Sequence, residues 1–273
     1  MELGIYSFGE ITLDTSGASA PSVNERLVRI IEMAQLAEEG GLDAISLGEH
    51  HRTDFAVSAP EVVLASIASV TKRIRLLSGV TVLSSQDPVR VFQQFATLDQ
   101  ISSGRAEIVA GRGAFTESFP LFGYDLNDYD SLFDEKLKLL VNIRDEPIVS
   151  WQGQFRPSLH EAVISPRPYQ EKLPIWVGIG GTPASAARAG ALGLPMVMGF
   201  FAGPEQFVPR VEIYHRAAEL GGHDPSKLRL GQRTHVYRQE FSASPRQLLP
   251  VLLPVLPAER GAIRGQRLST ERL

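Results

Sequence analysis

Four short clusters are of residue types that do chemistry, and each directly follows an apolar run. The first is Gly48-Glu49-His50-His51-Arg52. Adjacent histidines with a glutamate suit metal ligation, a general acid/base pair, or plain packing. A metal is the weakest of these, because no third ligand sits at a diagnostic spacing and the chain has no cysteine. The second cluster, Gly111-Arg112-Gly113, holds a guanidinium on a glycine-flanked loop. Such a group suits bidentate capture of a phosphate, and it equally suits a surface salt bridge. The third, Gly180-Gly181-Thr182-Pro183, places small residues and an N-cap hydroxyl where a helix begins. Unpaired N–H groups there attract an anion, although a simple cap explains Thr182 and Pro183 as well. The fourth is Ser78-Gly79-Val80-Thr81, in which Gly79 reads on its own as a strand-end glycine or a bulge.

The elements that position these clusters alternate. Strands are expected at Leu3 to Phe8, Asp43 to Leu47, Ile74 to Val82, Arg105 to Val109, Ile175 to Val177 and Pro195 to Met198, with a seventh within Leu228 to Tyr237. Helical windows lie between them. Ser22 and Glu25 form a capping box before a helix with Leu27, Ile31 and Ala34 on one face, closed by Gly40 and Gly41. Ser58 and Glu61 repeat that signature for a helix to about Val70. Asp87 and Pro88 open a third helix, with Val91, Phe95 and Leu98 as its buried face and Gly104 as its stop. Further helices are expected at Ser131 to Ile143, after the Gly180-Gly181-Thr182-Pro183 turn, and at Glu205 to Leu220.

Residues 144–172 break the rhythm. Val149 to Phe155 alternates like a small hairpin, and prolines then lead to the fifth strand, which reads as an insertion over the barrel. Strands separated by helices, without a shorter repeat, favour an α/β fold of the TIM-type (β/α) barrel kind over a doubly wound sheet. In such a barrel the site lies at the C-terminal strand ends, where all four clusters fall. The barrel is expected over residues 1–241. From Ser242 the composition shifts: Pro245, Pro250, Pro254 and Pro257 interrupt a Leu-rich run and arginines crowd the end. Residues 242–273 therefore read as an atypical tail, and the barrel as lacking a normal eighth βα unit. The open seam is expected to be buried in a dimer or covered by Leu248 to Leu256.

Composition narrows the function. A chain of 273 residues with 43% hydrophobic content buries one sizeable core. The net charge of −4 arises from 31 acidic and 27 basic side chains spread along the chain, with no basic stripe to meet nucleic acid. The missing cysteines remove disulfides, thiolate sites and thiol nucleophiles, and point to the cytoplasm. The N-terminus reads as a strand rather than a leader, and no apolar run is long enough for a membrane helix.

Leu47-Gly48-Glu49-His50-His51, the run from Ser78 to Arg90, and Gly104-Arg105 with Gly111-Arg112-Gly113 resemble, in order and spacing, the bacterial luciferase-like monooxygenases. The resemblance covers about residues 1–237. It implies a barrel, generally dimeric, that uses reduced FMN or, in some branches, coenzyme F420. By that resemblance His50 faces the flavin as acid/base, with Glu49 and His51 as supporting neighbours. Arg112 with Gly113, and the turn Gly180, Gly181 and Thr182, would hold the FMN phosphate. Gly79-Val80 would form a non-proline cis peptide against the flavin ring. A second arginine of the family, near Asp130, is missing here, so the phosphate would be held less tightly or helped by Tyr129. The implied activity is a flavin-dependent monooxygenase acting on a small organic substrate with O2, with an NAD(P)H:flavin reductase supplying reduced flavin. Two alternatives stay open: a flavin-binding protein without turnover, and an F420-dependent reductase on the same fold.

Overall fold

The computed structural model describes residues 1–11, 20–199 and 207–233. The chain divides into two units, and the described residues fall in the larger, Met1–Leu13 with Ser19–Thr234. The expectations for the 242–273 tail, and for Leu248 to Leu256 over the seam, lie outside the described residues. Among the described residues, no helix is long and apolar enough to cross a membrane.

The chain runs β1 (Gly4–Ser7), α1 (Val23–Glu39), β2 (Ala44–Leu47), α2 (Pro60–Val70), β3 (Arg75–Ser78), β4 (Thr81–Val82), α3 (Pro88–Ser102) and β5 (Ala106–Gly111). It continues through α4 (Ser118–Phe122), α5 (Tyr129–Asp145), β6 (Ile148–Trp151), β7 (Leu159–Val163), β8 (Ile175–Ile179), α6 (Pro183–Ala191), β9 (Met196–Met198), α7 (Val208–Leu220) and β10 (Leu230–Gln232). One parallel sheet takes the order β1-β2-β3-β5-β8-β9-β10, with β4 also on β5. This is a TIM-type α/β fold. Each parallel step requires a crossover, and the helices supply it.

The register sorts the side chains. Ile5, Ile45 and Leu76 stand in one row, and Tyr6, Ser46, Leu77 and Glu107 in the next. The first row joins Ile108, Ile175, Val177 and Met196 in the large core beneath the helices. On the opposite face a small cluster of Val109, Trp176 and Val197 packs with Leu77 and Val80. Successive strand residues point to opposite faces, so every strand contributes to both layers. Arg229, just before β10, reaches Glu2, just before β1, at 2.7 Å. The two ends of the sheet thus meet at its N-terminal side.

Local side-chain caps start α1 and α3. Ser22 and Glu25 form the full capping box on α1, and Gly40 and Gly41 close that helix, the latter with φ +79°. Asp87 caps α3 by accepting from the Val89 and Arg90 amides, and Val91, Phe95 and Leu98 are buried as expected. Ser58 does not cap α2. The N-cap residue is Ala59, without a side-chain bond, and Glu61 instead accepts from the Gln94 amide at 2.8 Å. Arg105 fastens the other end of α2, donating to the Ala68, Thr71 and Ile74 carbonyls. A cation on the last carbonyls of a helix complements its dipole.

Two further expectations need correction. The run Ile74 to Val82 is not one strand; it breaks into β3 and β4 at Gly79-Val80. The hairpin within the 144–172 segment exists as β6 against β7, antiparallel, but its loop is longer than an alternating Val149 to Phe155 ribbon allows.

Candidate active site

His50 leaves β2 at its C-terminal end and is 7% exposed. Its ring stacks on Phe55 at 4.2 Å and meets the edges of Phe8 at 4.9 Å and Phe115 at 5.0 Å. These three phenylalanines strip water from the imidazole. Burial pushes its pKa down to about 4; Arg52 and His51 add to the shift, and the Asp54 carboxylate opposes it. At neutral pH the group is therefore an uncharged imidazole, able to accept a proton or donate one hydrogen bond.

Its neighbours hold the strand end. Glu49, also buried, accepts from the Val82 amide and the Gln86 side chain, both at 2.8 Å, and pairs with His51 Nε2 at 2.9 Å. Glu49 thus ties the end of β2 to the end of β4. Lys136 of α5, 1% exposed, donates to the Ser84 carbonyl at 2.6 Å and lies over the Tyr124 ring. Burial lowers its pKa to about 8. It pins the turn at Leu83–Ser85 that follows β4.

The peptide Gly79-Val80 is cis. The Gly79 carbonyl accepts from Tyr6 Oη at 2.7 Å and from Arg233 Nη1 at 3.1 Å. A Cβ on Gly79 would come within 2.1 Å of Ser46 Oγ, so only glycine fits here. A Cβ on Gly111 or Gly178 would strike the Val80 side chain. The chain of contacts His50–Phe8–Tyr6–Gly79 makes one continuous wall, since Tyr6 and Phe8 meet edge to face at 4.6 Å.

Arg112, at the end of β5, meets the Gly180-Gly181-Thr182-Pro183 turn. Its Nη2 donates to Thr182 Oγ1 at 2.7 Å and to Ser185 Oγ at 3.2 Å, and its Nη1 pairs with Asp130. The Tyr129 ring covers one face of the guanidinium at 5.0 Å. Thr182 is the N-cap residue of α6, but its hydroxyl makes no capping bond and turns to Arg112 and Ser185. Gly113 has φ +77°, and Gly181 faces open space. Tyr129, expected to assist a phosphate, donates to the Gly113 carbonyl at 2.6 Å. Arg210 of α7 donates to the Gly181 carbonyl at 3.1 Å and places a second guanidinium beside the turn.

One guanidinium and two convergent hydroxyls at the start of a helix fit a phosphate. At Gly79 the space that a side chain would take is filled by Ser46, Tyr6 and Arg233, which explains the glycine there. Among the described residues, no group of three or more His, Asp or Glu side chains is arranged to hold a metal ion. Sequence reasoning missed Tyr6, Ser46 and Arg233 around Gly79, the Phe8, Phe55 and Phe115 cage, and Arg210. Tyr6 and Ser46 were discoverable, because both are polar residues at inward positions of otherwise apolar strands. The phenylalanines carry no such mark.

A family model described as luciferase-like monooxygenase matches residues 1–264. The alkanal monooxygenase alpha chain of Photorhabdus laumondii is 27% identical over 205 residues, which is 74% of this chain and 56% of that protein. The N-acetyl-S-alkylcysteine monooxygenase of Bacillus subtilis is 32% identical over 188 residues, 67% of this chain and 54% of that protein. The chain spans about half the length of these curated relatives. Among solved structures, a monooxygenase from Streptomyces bottropensis is similar with a TM-score of 0.78 at 25% identity, covering 88% of this chain and 73% of that one. The oxygenating constituent of 3,6-diketocamphane monooxygenase from Pseudomonas putida, in complex with FMN, has a TM-score of 0.77 at 21% identity, covering 91% and 71%. An F420-dependent secondary alcohol dehydrogenase has a TM-score of 0.71 at 22% identity, covering 85% and 68%. The last two likenesses speak for the fold alone.

Proposed function

The chain belongs to the luciferase-like monooxygenase family, and from that premise we propose that it is a flavin-dependent monooxygenase using reduced FMN and O2 to oxidise a small organic substrate. The observation that carries this reading is the meeting of Arg112 with the Thr182 and Ser185 hydroxyls. Residues 70 or more positions apart meet there, at the C-terminal side of the sheet on which His50 and Gly79 also lie.

Under this reading Arg112, Thr182 and Ser185 hold the phosphate, with Gly113, Gly180 and Gly181 giving backbone access. Gly79 and Val80 support the ring. Bound reduced FMN supplies the electrons that activate O2. The protein contributes orientation, a water-poor wall of aromatic side chains, and a neutral imidazole at His50 that takes or returns a proton. A separate NAD(P)H:flavin reductase supplies reduced FMN, and the same reading gives the protein a homodimeric, cytoplasmic setting. Alkanals and S-alkylcysteine derivatives, named by the relatives, are the first substrates to try.

Titration with FMN, and with riboflavin as the phosphate-free control, tests the reading. Arg112→Ala is expected to weaken FMN by about 1.5–3 kcal/mol and to leave riboflavin unchanged. Equal affinities of wild type and variant for FMN would remove Arg112 from the site. Because an F420-dependent dehydrogenase shares the fold, the second reading to test is an F420-dependent reductase. It predicts tighter binding of F420 than of FMN and no O2 consumption.

A further inference from the structure

Asp130 stands where the phosphate reading would not place a carboxylate. It lies in the first turn of α5 and pairs with Nη1 of Arg112, the guanidinium assigned above to the phosphate. The rest of that guanidinium is largely committed. Nη2 is engaged by Thr182 and Ser185, and the Tyr129 ring covers one face. An anion approaching Nη1 must therefore displace the Asp130 carboxylate or sit beside it. The two partners are held very differently, since the Arg112 side chain is 18% exposed and that of Asp130 is 74% exposed. The guanidinium is fixed, and the carboxylate reaches water by a simple rotation.

We propose that Asp130 tunes the phosphate subsite by competing with the cofactor phosphate for Arg112. This rests on the reading of Arg112 given above and deepens it. A phosphate monoester carries nearly two negative charges at neutral pH. Beside Asp130 it meets an Arg112 guanidinium that is already half neutralised, while Arg210 stands on the far side of the turn at the Gly181 carbonyl, and this lowers affinity for the phosphate and leaves affinity for the ring untouched. Breaking the Arg112–Asp130 pair costs little, because an exposed ion pair contributes little to stability. The Asp130 charge therefore keeps cofactor binding weak and reversible, as suits a flavin exchanged with a separate reductase.

The test is a titration of wild type, Asp130→Asn, Asp130→Ala and Arg112→Ala with FMN and with riboflavin. Both Asp130 variants are expected to bind FMN about two- to tenfold more tightly, with riboflavin unchanged, and the gain should shrink at high salt. Unchanged or weakened FMN binding in both Asp130 variants, while Arg112→Ala still weakens FMN selectively, overturns the competition and leaves the phosphate reading standing. If Arg112→Ala also leaves FMN binding intact, that reading falls and the proposal falls with it. Tighter binding of FMN and riboflavin alike in the Asp130 variants would mean a change of shape at the start of α5, and would overturn the proposal too.

Discussion

The two ends of the parallel sheet treat their polar groups in opposite ways. At the N-terminal end, Glu107 accepts from Arg75 at 2.7 Å and from the Trp176 indole at 2.6 Å. Arg75 and Arg229 both donate to Glu2, and Arg229 lies over the Trp176 ring. Each charge there meets an opposite one. At the C-terminal end, His50 sits among phenylalanines, Arg233 lies over Tyr6 and donates to a backbone carbonyl, and Arg112 faces an exposed carboxylate and two hydroxyls. One end uses ionisable groups to close a structure. The other sets His50 and Arg233 among rings and a backbone carbonyl and gives Arg112 hydroxyls and one exposed carboxylate that can be exchanged for a ligand anion, which is how functional sites differ from structural ion pairs.

The sharpest way to break this contrast is His50→Ala. If His50 handles protons, turnover with reduced FMN and O2 on a reactive substrate is expected to fall by about 10²–10⁴, with FMN affinity kept. Normal turnover in the variant would make His50 another packed side chain. His51, paired with Glu49, should be far less sensitive.

At the opposite end, Glu107→Ala leaves the buried Trp176 indole without its acceptor and Arg75 with Glu2 as its remaining carboxylate, and a loss of about 2–4 kcal/mol in urea unfolding is expected. Flavin affinity should not move. A parallel loss of flavin binding at unchanged stability would show that the two ends are not separate in function.

Acid titration compares the two ends in one experiment. The folded pKa of His50 is about 4, below its ordinary 6.5, so the unfolded chain binds this proton more readily. Stability is then lost as pH falls from about 6.5 towards 4, by at most on the order of 3 kcal/mol from this group. Replacing His50 with Gln should flatten that part of the unfolding profile. An identical acid profile in the variant would show that His50 titrates alike in the folded and unfolded chain, and so is not desolvated by its phenylalanine neighbours.

The smallest effects concern the frame beneath both ends. Ser22→Ala removes the bond from the Glu25 amide to the Ser22 hydroxyl, keeps the one from the Ser22 amide to the Glu25 carboxylate, and is expected to cost about 1 kcal/mol, whereas Ser58→Ala should change thermal stability by almost nothing. A clear loss at Ser58 would mean that α2 is capped in solution after all.

The contrast between Ser22 and Ser58 shows what was legible in the chain and why. Both positions have the same residue signature. At Ser22 the local preference is realised, with the full box formed to Glu25. The backbone just before Ser58 is committed elsewhere: the Ala56 amide donates to Gly9 and the His50 amide to Val57. Those tertiary bonds set the entry to α2, leaving Ala59 at φ −132° and ψ 78°. Thr182 repeats the lesson, since its hydroxyl prefers the Arg112 guanidinium to the helix it begins.

Periodicity, caps and strand-end motifs were enough to read the alternating elements, the TIM-type α/β class, and Glu49, His50, Gly79, Arg112 and Thr182 as the residues to watch. These signals are local, written within a few residues of one another. What the folded chain alone decided was the company each residue keeps. Phe8, Phe55 and Phe115 look like any core phenylalanine until three separate segments close them around His50. Asp130 looks like an ordinary first-turn acid of a helix until α5 lays it against Arg112, and Arg229 and Glu2, 227 positions apart, become partners only because the sheet brings its first and last described strands together. Side-chain types and spacings determine which elements form, because hydrogen bonding and burial act over short stretches. Which groups are desolvated, paired or left with capacity depends on packing between distant segments, and that is where the chemistry of this protein is set.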